Sequence, residues 1–278
     1  MINSNKICFG FLLLAFISLT GLTGAAQVRE KSDKYDRKFC ANNWSNGGKV
    51  STSDLREMTV AAGDVNVDGK RNGGISIRGE NRSDVLVRAC VQAWANSEVE
   101  ANSLAKSVRI ETGGTIKAVG AEDEKNFSVS YEILVPRNTN LNLTATNGGI
   151  SISNVEGNIN FTASNGGVSL SDLAGDVKGK TSNGGLKVEL TGNSWKGVGL
   201  DVKTTNGGIH VSMSENYAAR IETRTTNGGF NSEIAALKIE RDPNNWKSGA
   251  NLSRDINGGG ATIRLITTNG GVRIESSN

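Results

Sequence analysis

From residue 58 onward the chain alternates between apolar and polar residues. "MTVAAGDVNVDG" and "GGISIRG" put apolar side chains at every second position around glycine turns, which predicts half-buried β-strands. "DVLVRACVQAWA" (84–95) predicts a longer strand, and "FSVSYEILVP" another, ending at Pro136. Between them "NSEVEANSLAKSV" (96–108) loses the two-residue period. Its Glu, Ala, Leu and Lys content predicts the one helix, with Asn96 as its cap.

From about residue 137 the alternation becomes a repeat. The triplet Asn-Gly-Gly stands at Asn147, Asn165, Asn183, Asn206, Asn227 and Asn269, with first steps of 18 and 18 and later ones of 23 and 21. It also occurs at Asn46, Asn72 and Asn257. The third and fifth residues after each Asn are apolar: Ile150 and Ile152, Val168 and Leu170, Leu186 and Val188, Ile209 and Val211. The residues between are polar, so one face turns in and the other out. A single strand–turn–strand unit cannot bury its apolar face, whereas units stacked ~4.8 Å apart make a continuous core. The expected fold is all-β: a parallel β-solenoid, right-handed and β-helix-like, with coils of about 18–21 residues in one domain over 55–278. The 42 residues from Asn227 to Asn269 equal two coils of 21. This predicts an intervening coil turning near Gly249, with Asn257 off the column.

The triplet has a structural explanation. Gly, and Asn more than other residues with a Cβ, accept the positive φ of a sharp corner. Asparagines stacked at one position can also pass amide hydrogen bonds from coil to coil. Thr146, Ser164, Ser182, Thr205, Thr226 and Thr268 form a second polar column just before the corner. Gly157 and Gly175, each ten residues after an Asn, predict a second corner halfway round. If only the ladder asparagines stack, Asn183→Ala should destabilise more than Asn257→Ala. A phosphate-binding loop is excluded, because no helix follows these glycines and no G-x-x-x-x-G-K-[ST] or G-x-G-x-x-G context is present.

The N-terminus changes the compartment. "ICFGFLLLAFISLTGL" behind Lys6, followed by "TGAA", reads as a cleaved secretory signal over residues 1–26. Residues 27–54 read as a charged, mostly irregular arm, and no second apolar run of spanning length follows. The mature chain is thus expected outside the cytoplasm: periplasmic, cell-surface or secreted, without a transmembrane segment. There the remaining pair, Cys40 and Cys90, is expected to form a disulfide. A formal charge of +3 without basic clusters gives no nucleic-acid footprint.

The stretch "YEILVPRNTNLNLTATNGGI", the repeated corners, the "GLDVKTTNGG" coil and the closing "ATIRLITTNGGVRI" resemble the bacterial putative-adhesin domain family of unknown function. The resemblance covers roughly residues 55–278. It implies an exported parallel β-helix and brings no catalytic motif.

Little chemistry is legible. His210 is the one histidine and points outward by register, with no partner group placed for it. Asp172 and Asp176 fall on one coil, and their counterparts one coil earlier are Asn154 and Asn158, so no acidic column builds up. Neither a metal site nor a cofactor is expected. The candidate contacts for a protein or glycan surface are Trp195, Tyr217 and Trp246, aromatic residues where the repeat is interrupted. Packing under their own loops is the favoured alternative for these rings. The expected function is a non-enzymatic, adhesin-like binding or structural module of the cell envelope. A polysaccharide-active β-helix enzyme and a signalling module acting through a protein partner are the alternatives. Two or more carboxylates on adjacent coils in one groove would favour the enzyme.

Overall fold

The computed structural model describes residues 39–41, 48–120, 126–239 and 249–277. Strand β1 (Val50–Ala61) is followed by β2 (Val65–Asp68), β3 (Ile75–Glu80), β4 (Asp84–Ala95) and helix α1 (Glu98–Ser107). β5 (Arg109–Glu111), β6 (Thr115–Val119) and β7 (Phe127–Pro136) come next. Then strands come in pairs: β8 (Leu141–Ala145) and β9 (Ile150–Ser153), β10 (Glu156–Asn165) and β11 (Val168–Ser171), β12 (Ala174–Asn183) and β13 (Leu186–Leu190). β14 (Gly199–Asn206) and β15 (Ile209–Met213) follow, then β16 (Ala219–Asn227) and β17 (Phe230–Ser232). β18 (Ala250–Ile256) precedes β19 (Thr262–Asn269) and β20 (Val272–Ser276).

The described chain is nearly all β and forms two ten-stranded sheets. Each strand pair from β8 onward gives its first strand to one sheet and its second to the other, and successive pairs stack in parallel. Both sheets are mixed and open. β4 runs antiparallel to β1 and to β7, β5 to β6, and β18 to β16. The alternation explains the core: Ile150, Ile152, Val168, Leu170, Leu186, Val188, Ile209 and Val211 are all buried, and one cluster joins the inward residues of both sheets.

The stacking order is not the chain order. β19 lies between β14 and β16, and β20 between β15 and β17. The expected coil turning at Gly249 is therefore absent from that place. Gly249 lies against the Thr225–Thr226 backbone, and β18 runs antiparallel along the outer edge of β16. Charge pairing fits the inserted order. In register across the sheet stand Lys178, Asp201, Arg264 and Glu222. Arg264 bonds Glu222 at 2.9 Å and Asp201 at 3.5 Å. Its removal from between them would leave two carboxylates facing each other. Arg220 and Arg264 hold the Glu222 carboxyl below its ordinary value. At the other end β2 and β3 are inserted in the same way, between β8 and β6 and between β9 and β7.

Two further expectations shift at the N-terminal end, and one holds. The arm expected over 27–54 gives way to β1 at Val50, because residues 50–54 pair with β4. The helix cap is Ser97, whose Oγ accepts from Glu100 N–H, in place of Asn96. Cys40 and Cys90 form a disulfide, with Cα atoms 5.4 Å apart and a sequence separation of 50. Closing a loop of that size removes about 4 kcal/mol of unfolded-chain entropy in the chain-entropy model.

Candidate functional site

The corner asparagines form a hydrogen-bonded ladder along the stack. Asn147 Nδ2 donates to Asn72 Oδ1 at 3.2 Å, Asn165 to Asn147 at 2.9 Å, and Asn183 to Asn165 at 2.8 Å. Asn206 donates to Asn183 at 2.8 Å, Asn269 to Asn206 at 2.7 Å, and Asn227 to Asn269 at 2.8 Å. Asn72 is the rung that the 18-residue spacing could not place, since its unit is inserted from far upstream.

The reason for the glycines differs from the expectation. No corner Asn in this ladder, and neither glycine that follows it, has φ in the left-handed region. Instead, a Cβ on the first glycine of each triplet would collide with backbone one unit away: Gly166 with the Gly148 carbonyl, Gly184 with that of Gly166, Gly207 with that of Gly184. Buried Thr181, Thr204 and Thr267 each donate their hydroxyl, at 2.8 Å, to a first-glycine carbonyl, those of Gly166, Gly184 and Gly207. Ala145 and Ala163 hold the same position in earlier units. This repeat is filled on both faces with architecture.

Asn257 leaves the ladder but is not idle. Its Nδ2 donates to the Glu215 and Tyr217 carbonyls at 2.8 and 3.0 Å, and its φ is 49°. Alanine there loses both bonds and pays about 1 kcal/mol more for the left-handed backbone. Asn183→Ala removes one donated and one accepted bond at an exposed rung, costing about 1 kcal/mol. The order expected from stacking alone is therefore reversed: Asn257→Ala should show the lower melting temperature of the two. Asn257→Gly should recover the backbone share.

The second corner is where the structure opens. The left-handed residues there are Asn154 (φ 58°), Asp172 (φ 50°) and the expected corner glycine Gly175 (φ 98°), whereas Gly157 lies inside β10 without a left-handed φ. In the next unit, residues 191–198 replace the short turn. This segment is clamped to Gly175: Trp195 Nε1 donates to the Gly175 carbonyl at 2.9 Å, Val198 N–H to the same oxygen at 2.9 Å, and Gly175 N–H to the Lys196 carbonyl at 2.7 Å. Thr191 Oγ1 donates to Asp172 Oδ1 at 2.8 Å. Trp195 and Tyr217 are buried, 8% and 1% exposed, so neither ring stands free at the surface as a stacking platform. They pack beneath the irregular segments, where a large ring fills the gap that a departing loop leaves. Burial pushes the Tyr217 phenol up to about 12, so it is a neutral hydroxyl at physiological pH. Trp246 lies outside the described residues.

These segments wall a groove of about 490 Å³, a ligand-sized volume. Arg137, Glu156, Asp172 and Lys196 line it, with Trp195 and Tyr217 also contributing wall. Among the described residues none of these four charged groups has an ion-pair partner. A second depression of about 420 Å³, bounded by Asp64, Thr139 and Asn140, shares Asn138 and Glu156 with the first. Together they make one trough along the stacking direction. Glu156 and Asp172 come from adjacent units, which is the carboxylate geometry that position counting along one column missed. Their offset of two positions hides the pair from a column-by-column comparison.

His210 is half exposed and does have a carboxylate partner. Its Nε2 lies 2.6 Å from Glu275 Oε2, brought there by the inserted β20. This bond, with Arg273 behind it, holds the Glu275 carboxyl below its ordinary value. Among the described residues no group of three or more His, Cys, Asp or Glu is placed to hold a metal, and no helix is long and apolar enough to cross a membrane.

No family model matches the chain, and no curated protein does. Solved structures do. A putative cell adhesion protein from Clostridium sporogenes is 11% identical with a TM-score of 0.40, over 82% of this chain and 100% of that one. A putative adhesin from Parabacteroides merdae is 10% identical with a TM-score of 0.34, over 84% and 98%. A putative lipid binding protein from Parabacteroides distasonis is 11% identical with a TM-score of 0.25, over 80% and 96%. Similarity at this level carries no function across.

Proposed function

We propose that the chain is an exported, non-enzymatic binding module of the cell envelope, adhesin-like, built on a β-solenoid of the family its corner sequence resembles. The parallel register from unit to unit supports the solenoid reading, and the Cys40–Cys90 disulfide supports an oxidising compartment. One observation carries the binding reading. The scaffold is regular where it is saturated by its own ladders, and at the place where it is interrupted it forms a trough lined by charges without ion-pair partners among the described residues. A solenoid keeps its contacts within the stack, so the insertion is where it can meet something else.

The carboxylate pair favours a second reading, hydrolysis of a polysaccharide. Against it, Glu156 and Asp172 are both exposed to water, whereas a general acid is tuned by a dry, apolar setting. Replacing residues 192–197 by a short Gly-Ser turn should abolish retention of the purified protein on isolated envelope material while leaving the ladder intact. Retention unchanged by that replacement would remove the trough from the function. Release of reducing sugar that Glu156→Gln abolishes would establish the enzyme instead.

A further inference from the structure

We infer that the trough holds a stretch of an uncharged oligosaccharide, laid along the stacking direction. The inference rests on the binding reading above and adds the class of ligand. Shape comes first. Two depressions joined at Asn138 and Glu156 suit an extended chain, and their floor is made of units spaced ~4.8 Å apart.

Charge narrows the class. Arg137 and Lys196 repel a cationic ligand, and Glu156 and Asp172 repel an anionic one. An apolar ligand would strip water from all four groups without replacing its hydrogen bonds. A sugar hydroxyl both donates and accepts, so one uncharged chain satisfies carboxylates and cations side by side. The amides of Asn138, Asn154 and Asn193 line the same walls and read hydroxyls in the same two ways.

The backbone argues against a peptide. An extended peptide gains most of its affinity by adding to a free strand edge. Here the floor is corner backbone already bonded between units: Asn154 N–H to the Ser171 carbonyl at 3.2 Å, Ala174 N–H to Val155 at 3.1 Å, and Glu156 N–H to Arg137 at 2.7 Å. A peptide laid in the trough finds its partners spent, whereas side chains are free to meet hydroxyls.

The test uses the full chain on an array of neutral, uronic-acid and free-amine oligosaccharides, followed by calorimetric titration of the strongest responder and of triglycine. The neutral class should give the strongest response. Asp172→Asn, which keeps a residue that accepts left-handed φ, and Lys196→Ala should each weaken that binding about tenfold or more. Asn183→Ala, on the opposite corner, should leave it unchanged. Strongest binding of an acidic or amine oligosaccharide, lost in the same variants, would overturn the uncharged class, and strongest binding of triglycine the saccharide assignment; either leaves the trough as a binding site. Neutral binding that both trough variants leave intact would overturn the location. Silence across the array, with envelope retention still dependent on residues 192–197, would also overturn the saccharide class and point to a protein surface.

Discussion

Gly184→Ala should lower the unfolding free energy by about 3 kcal/mol or more, while Gly185→Ala beside it should change it by less than about 1 kcal/mol. A methyl at 184 would overlap the Gly166 carbonyl oxygen and come within 2.9 Å of Gly167 N. Both are backbone atoms of the adjacent unit, held by the corner ladder, so no flexible side chain can give way. Relief would have to come from parting two stacked units, which breaks hydrogen bonds and core contacts together. At 185 the same methyl would meet only the Gly208 carbonyl oxygen at 3.4 Å, an ordinary contact. There the reduced freedom of the unfolded chain can offset what is lost. Denaturant unfolding of the two variants decides it. Equal midpoints would overturn the steric account.

Arg88→Met should cost about 3–5 kcal/mol, and most of that should return in the double variant Arg88→Met/Glu132→Met. β4 lies between β1 and β7, and Arg88 stands opposite Glu57 on one side and Glu132 on the other. Its Nε bonds Glu57 Oε1 at 2.9 Å, and its Nη1 bonds Glu132 Oε2. The Arg88 and Glu132 side chains are only 6% and 8% exposed, whereas Glu57 is half in solvent. Methionine at 88 leaves the Glu132 carboxylate inside without its counterion. Removing both charges restores a packed apolar pair at little net cost, since a buried ion pair contributes little beyond its own desolvation. Urea unfolding of the single and double variants measures the difference. A double variant as unstable as the single one would show that packing around Arg88, and not the orphaned charge, sets the cost.

Particular residues show how far the sequence could be read. Ile150, Val168 and Leu186 announce their burial through a two-residue period that needs no knowledge of partners. Asn147, Asn165 and Asn183 announce their register through an 18-residue spacing. Asn72 does not, because its unit is 75 residues upstream of the rung it joins, and spacing carries no information across an insertion. The same limit hid the place of Asn269, the His210–Glu275 contact and the Arg264 bridge. All three follow from β19 and β20 entering between earlier strands. Trp195 and Tyr217 were recognisable as residues of interrupted units, but their burial depends on where the loop folds back. The Glu156–Asp172 groove escaped because the two side chains occupy different positions in their units.

By itself, then, the sequence determined the inward and outward faces, the corners and the ladder. These are local properties, set by alternation and by the tolerance of Asn and Gly for tight stacking. Only the tertiary structure decided which unit lies on which, why the first glycine of each triplet cannot carry a side chain, and where unpaired charges gather. Neighbours in a stack are chosen by the complementarity of whole strands, as when Arg264 separates Asp201 from Glu222. That choice is made between segments far apart in the chain and leaves no periodic trace in either.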